Sequence, residues 1–174
     1  MHGAIEKAPP IKTIIFNDIF DEASALLPGV KEIIEYLQEG KYWLKLAAVG
    51  RTEDCLAELE RIGIHLCFAN RMVRSGLAKW TMLDELVTET TTISGKKIKK
   101  IEFHKVNFQQ IAVVDDHVAM GSGLNWGFVY GATTVLLRRD KFAHEIPPEN
   151  QSPTYTIDSF EQLKGIFKQK AARR

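Results

Sequence analysis

Apolar residues fall in short blocks with two different periods along the chain. Ile11–Phe16, Trp43–Val49, Ile64–Phe68, Ile111–Val114 and Thr133–Leu137 are continuous β-branched or aliphatic runs bounded by polar residues. Runs of this length suit strands buried on both faces, as in a parallel sheet covered by helices. Between them apolar residues recur at helical spacing: Val30, Ile33, Ile34 and Leu37, then Cys55, Leu56, Leu59 and Ile62. Leu77–Val87, His117–Tyr130 and Ser159–Lys170 are read as further helices, the second interrupted by glycines. Pro28 suits a first turn, Gly40 and Gly63 suit stops, Gly131 a turn, and Thr52 is placed to cap a helix. Strands alternating with helices predict an α/β fold with parallel pairing and right-handed crossovers. Residues 88–105 show no clear period and are left unassigned, and 147–153 read as a polar loop.

The length of 174 residues fits one domain with a sizeable core, residues 1–174, with 1–10 as a flexible leading segment. Lys and Arg total 23 against 22 Asp and Glu, so no overall field selects nucleic acid or an anionic membrane. Lys96, Lys97, Lys99 and Lys100 form a local basic run, but without interleaved aromatics it reads as a solvated edge or loop. Cys55 and Cys67 lie among apolar residues with no metal-type spacing, which fits reduced thiols in a cytoplasmic protein. No apolar run is long enough to span a bilayer. His65, His104, His117 and His144 have no ligand-type spacing.

The chemistry concentrates at IAVVDDHVAM, where a buried run meets Asp115 and Asp116. In open α/β sheets ligands bind at the carboxyl ends of the strands, and two adjacent carboxylates there repel one another unless a cation intervenes. Magnesium, a hard ion taking oxygen ligands, is the natural partner. The alternative is that one acid caps the next helix and the other is solvated. GSGLNWG lacks the spacing of a dinucleotide fingerprint.

Two families place acids after such a strand. VVDDH resembles the opening strand of a response-regulator receiver domain, but too little chain follows Asp116 for that fold. Placed late in the chain, the same acids resemble motif four of the haloacid dehalogenase-like (HAD) phosphatases, and the other pieces fall in that superfamily's order. IIFNDIFDEA stands where the family has its strand and DxDxT nucleophile loop, LLPGVKEIIEYLQEGK resembles its following helix, and LAAVGRTED resembles motif two. Lys79 in RSGLAKWTMLDEL resembles motif three, and TIDSFEQLKGIF the closing helix. The resemblance covers nearly the whole chain and lies toward the small magnesium-dependent phosphatases. It implies a Rossmann-like HAD fold with a mainly parallel sheet, helices on both faces and little or no cap.

In that family the first Asp of DxDxT attacks phosphorus, the second is the general acid and base, and magnesium bridges the nucleophile and the motif-four acid. A gapless alignment puts Asn17 at the nucleophile position, Ile19 at the acid/base position and Asp21 where the family has Thr. A one-residue slip makes Asp18 the nucleophile, with Phe20 two positions on and Asp21 the nearest substitute proton donor. A strand buried on both faces leaves this register open. Gly50 stands where motif two has a hydroxyl, with Arg51 or Thr52 able to compensate.

The resemblance thus implies candidate catalytic positions at Asn17, Asp18, Asp21 and Lys79, phosphate contacts from Arg51, Thr52 and Lys79, and magnesium ligands Asp18, Asp115 and Asp116. Three functions follow: a catalytically degenerate domain that keeps weak magnesium or phosphate binding for a binding or regulatory role; an active magnesium-dependent phosphohydrolase using Asp18; and an enzyme repurposed to other chemistry. The expected partner is a phosphorylated small molecule or a protein, without membrane or nucleic acid. Trp126, Phe128 and Tyr130 would mark a partner surface if exposed together, and core residues otherwise.

Overall fold

The computed structural model describes residues 10–49, 51–74, 79–91, 98–139 and 142–168. Its centre is a six-stranded parallel sheet built from β1 (Thr13–Asn17), β2 (Trp43–Val49), β3 (Phe68–Arg74), β6 (Ile111–Asp115), β7 (Thr133–Leu137) and β8 (Tyr155–Ile157), in the order β3-β2-β1-β6-β7-β8. Helices α1 (Val30–Glu39), α2 (Thr52–Ile62), α3 (Lys79–Thr88), α4 (Gly123–Tyr130) and α5 (Leu163–Ile166) cover it. A separate antiparallel pair, β4 (Glu89–Thr91) and β5 (Ile98–Lys100), occupies part of the stretch the sequence left unassigned.

Strand parity divides the core. Ile14, Phe16, Leu44, Leu46, Ala112 and Val114 pack with the buried residues of α1, α2 and α5, including Val30, Ile33, Ile34 and Leu37. Ile15, Ala47, Ile111 and Val113 pack on the opposite face with Met82, Leu83 and Leu86 of α3 and Trp126 of α4. Side chains two apart along a strand share a face, so Asn17 continues the row of Ile15, and Asp115 the row of Ile111 and Val113. That alternation orients the site.

Several boundaries differ from the sequence reading. Of Ile64–Phe68 only Phe68 belongs to a strand. His65–Cys67 form a 3-10 turn after Gly63 closes α2 in the left-handed region (φ 84°), and buried Ile64 anchors that turn. The helix expected from His117 begins only at Gly123, where the Ser122 side chain accepts the Asn125 backbone N–H at 3.1 Å. Helix α2 is preceded by Arg51 at the capping position, and Thr52 is its first residue rather than its cap. The closing segment is a 3-10 turn, Phe160–Gln162, followed by the short α5, and its expected end at Lys170 lies outside the described residues. Strand β8, three residues long, is too short to show a period. Gly50, Leu77, Ala78, Lys96 and Lys97 also lie outside the described residues.

Trp126 is fully buried, and Tyr130 packs against Trp80, Phe103, Phe108 and Trp126. Phe128 alone of the three candidate surface aromatics is exposed, so they are mainly core. Residues 18–29 connect β1 to α1 as a loop closed by an antiparallel bridge between Phe20 and Leu26, and no inserted cap domain stands there. No helix among the described residues is long and apolar enough to cross a membrane.

Candidate active site

Strands β2 and β6 flank β1 on opposite sides, and the chain reaches β6 only after completing the β3 half of the sheet. The carboxyl end of β1 is therefore the point where strand order reverses, the usual ligand crevice of an open α/β sheet. Asn17, Asp115 and Asp116 converge there.

Asn17 and Asp18 point in different directions. Asn17 is 1% exposed and its Nδ2 donates to Asp115 Oδ2 at 3.3 Å. The amide lies against Gly123, where an added Cβ would fall 1.4 Å from Nδ2, so glycine is required at the start of α4. Asn17 Oδ1 is buried with no hydrogen-bond partner among the described residues. Asp18 follows in the left-handed region (φ 65°), which a short polar residue tolerates, and its carboxylate turns into a cleft instead. Ile19 is fully buried, and its aliphatic side chain has no proton to give.

Asp115 accepts three hydrogen bonds. Its Oδ1 accepts the Asp116 N–H at 2.8 Å, and its Oδ2 accepts the Gly123 N–H at 2.8 Å as well as the Asn17 amide. Lys79, at the start of α3, places Nζ 3.9 Å from the same Oδ2. Burial raises the Asp115 carboxyl to about 6, against the opposing charge of Lys79. Loss of hydration disfavours the charged form more than one cation restores it.

Asp116 goes elsewhere. It lines a cleft of about 570 Å³ together with Asp18, Asp21, Arg51, Arg139 and Phe142. The Arg139 guanidinium pairs with Asp116 Oδ2 at 2.7 Å, both side chains being mostly buried. Asp18 is raised from the ordinary carboxylate range, chiefly by burial, with Lys79 opposing and Asp116 reinforcing. Asp21 acts locally, since its Oδ1 accepts the backbone N–H groups of Ala23 and Ala25, each at 2.9 Å, and shapes the 18–29 loop. Arg51 is mostly exposed at the cleft and pairs with Asp54 at 2.7 Å. Thr52 begins α2 beside it. Beyond Asp116, His117 Nδ1 contacts Glu145 Oε1 at 2.7 Å and its ring packs on Phe142.

These placements test the fit of magnesium. Among the described residues no three acids or other ligands gather in a metal-type group. Asp115 does not line the cleft and its oxygens accept hydrogen bonds, while Asp18 and Asp116 face the cleft with Asp116 held by Arg139. As arranged, a divalent ion at Asp116 would have to displace the Arg139 guanidinium, which already supplies positive charge there, while Asn17 Oδ1 and Asp116 Oδ2 are buried oxygens without a hydrogen bond among the described residues.

Arg139, Gly123 and the His117–Glu145 pair were not singled out from the sequence. Arg139 alone carried a usable signal: a charged residue just beyond the apolar strand TTVLL, at the same sheet edge as the acids.

The fold is that of the haloacid dehalogenase-like hydrolases, a group of dehalogenases and phosphatases among solved structures. SP0104 of Streptococcus pneumoniae, a hydrolase of the haloacid dehalogenase-like family, superposes with a TM-score of 0.59 at 10% identity, over 91% of this chain and 99% of that one. YfnB of Bacillus subtilis, assigned as a HAD-hydrolase and bound to magnesium, matches with a TM-score of 0.58 at 15% identity, over 83% of this chain and 57% of its own. A Haemophilus somnus protein, assigned by prediction as a phosphoglycolate phosphatase, matches with a TM-score of 0.56 at 21% identity, over 81% and 56%. The chain thus spans less than two thirds of the length of YfnB and of the dehalogenases it resembles. No protein-family model and no curated protein matches the sequence.

Proposed function

We propose that this chain is a HAD-fold binding module that engages a phosphorylated small molecule or a protein partner without hydrolysing it by the covalent carboxylate route. The carrying observation is the hydrogen bond from Asn17 Nδ2 to Asp115 Oδ2. It supports reading Asn17, rather than Asp18, as the residue at the nucleophile position, and an amide lacks the ionised oxygen that attack requires. Ile19 removes the proton donor as well, and general acid/base help alone is worth on the order of a hundredfold to ten-thousandfold.

Arg51 at the cleft and Lys79 beside Asp115 are the cations through which a phosphate would be recognised, with Thr52 as a neighbouring donor. Magnesium binding on this reading is weak, because it requires Asp116 to release Arg139. Cys55 and Cys67 are both free thiols, which agrees with a reducing, cytoplasmic setting.

A second reading rests on Asp18, whose carboxylate lines the same cleft as Asp116 and Arg51. On that reading the chain is a magnesium-dependent phosphohydrolase with Asp18 as nucleophile and Asp21 or water handling the proton. Hydrolysis of 4-nitrophenyl phosphate with magnesium, by the purified protein and its Asp18→Asn and Asp115→Asn variants, separates the two. The binding module gives no turnover above the variants, whereas turnover lost in both variants would overturn it in favour of the hydrolase.

A further inference from the structure

The opposite end of the sheet carries a second concavity that the hydrolase-type site does not use. Thr13, Trp43 and Ile111 lie at the amino-terminal ends of β1, β2 and β6, and there they border a cavity of about 320 Å³. Its walls are mainly apolar, from Trp43, Val87, Ile101 and Ile111, and its charged lining residues are two lysines, Lys12 and Lys45, with no carboxylate among them. A cavity of this size, apolar apart from a few placed polar groups, is the usual form of a small-molecule site.

Lys45 is the unusual member. It is 6% exposed, in the middle of β2, and its Nζ donates to the carbonyls of Leu86 and Glu89, at the end of α3 and the start of β4. An ammonium has three donors, and the carbonyls of Leu86 and Glu89 take two of them. Burial pushes the Lys45 ammonium down to about 8, with the Glu89 carboxylate opposing that shift. A buried cation in an apolar wall is stabilised by an anion that enters beside it, and Lys12 stands exposed at the same cavity to draw that anion in.

We propose that this cavity binds a small organic carboxylate with a flat apolar body, its ring against Trp43 and its head group between Lys45 and Lys12. The apolar walls would reject inorganic anions, and the two lysines would reject neutral and cationic analogues of the same shape. This site lies at the opposite sheet edge from Asn17 and does not depend on how that site is read.

Titration with 2-naphthoate and with its neutral analogue 2-naphthalenemethanol, followed through the indole N–H signal of Trp43 in NMR spectra of the whole chain, tests it. The signal is assigned by its loss in Trp43→Phe. The expected result is saturable binding of the acid at least tenfold tighter than of the alcohol. Lys45→Met and Lys12→Ala should each weaken the acid several-fold and leave the alcohol unchanged. Lys12 is exposed, so Lys12→Ala carries the test if Lys45→Met fails to fold. Equal affinity for acid and alcohol, no saturable shift at Trp43 in the millimolar range, or unchanged acid binding in Lys12→Ala would each overturn the proposal.

Discussion

The Arg139 guanidinium lies 2.7 Å from Asp116 Oδ2, at the carboxyl edge of the sheet. Adjacent acids at that edge call for positive charge, and the structure meets the need from its own side chains, Arg139 for Asp116 and Lys79 for Asp115. An internal cation of this kind competes directly with a divalent ion for the same carboxylate.

Removing it should uncover that competition. Arg139→Gln leaves Asp116 as a buried, unpaired charge, a loss on the order of 3 kcal/mol in stability. Magnesium should restore part of the loss, raising the melting temperature of the variant while leaving the wild type nearly unmoved. Thermal melts with and without magnesium measure this, and an equal magnesium shift in both proteins would show that Arg139 does not compete.

Asp115 should leave a signature in the pH dependence of stability. Its carboxyl is raised from 3.8 to about 6 by burial, so between those values the native state holds a proton that the unfolded chain has released. Stability contributed by the protonated form is therefore present below about 4 and is lost as pH rises to about 6, by on the order of 3 kcal/mol. Denaturation of Asp115→Asn across this range should lack that decline, and at pH 7 the variant should be at least as stable as the wild type. Parallel pH profiles in the two proteins would contradict the assignment.

Gly123 should tolerate no side chain. A Cβ there would fall 1.4 Å from Asn17 Nδ2 and 2.9 Å from Asp115 Oδ2, both in fully packed surroundings. Gly123→Ala is expected to cost about 1–3 kcal/mol, as overpacking typically does. The double variant Asn17→Ala/Gly123→Ala should recover part of that, because the smaller side chain vacates the space. Urea denaturation of the single and double variants measures the coupling, and strict additivity would mean that the two residues do not compete for it.

Trp126 ties α4 to α3 through an indole N–H donated to Asp84 Oδ1 at 2.8 Å, within the aromatic cluster of Phe108 and Tyr130. Trp126→Phe keeps the ring packing but deprives Asp84 of its donor and leaves space in the core. A loss of roughly 2 kcal/mol is expected, from the unpaired acceptor and the vacated volume together. A change below about 0.5 kcal/mol in chemical denaturation would show the bond to be dispensable, since surface-like substitutions fall in that range.

Much of the architecture was legible in the linear pattern, for a physical reason. Doubly covered strands must be apolar throughout, and helices on a sheet must carry an apolar stripe, so Ile14–Phe16, Leu44–Ala48 and Val30 to Leu37 announce their own environments. Elements stabilised mainly by distant partners were not legible. Strand β8 depends on pairing to β7, the β4–β5 pair has only three residues on each side, and the 3-10 turn at His65–Cys67 answers to where β3 must join the sheet edge.

The same division holds at the site. By itself the sequence determined that Asp115 and Asp116 end a buried strand, that Asn17 and Asp18 end another, and that Lys79 lies near the start of a helix, because burial pattern and turn chemistry are local properties. It could not decide which of Asn17 and Asp18 faces Asp115, since a strand buried on both sides has the same composition in either register. Only the tertiary structure decided that, by setting Asn17 in the row of Ile15 against Gly123 and turning Asp18, at φ 65°, into the cleft. It likewise set Arg139, just past β7, against Asp116, just past β6, a side-chain pairing across two adjacent strand ends that the linear pattern does not specify.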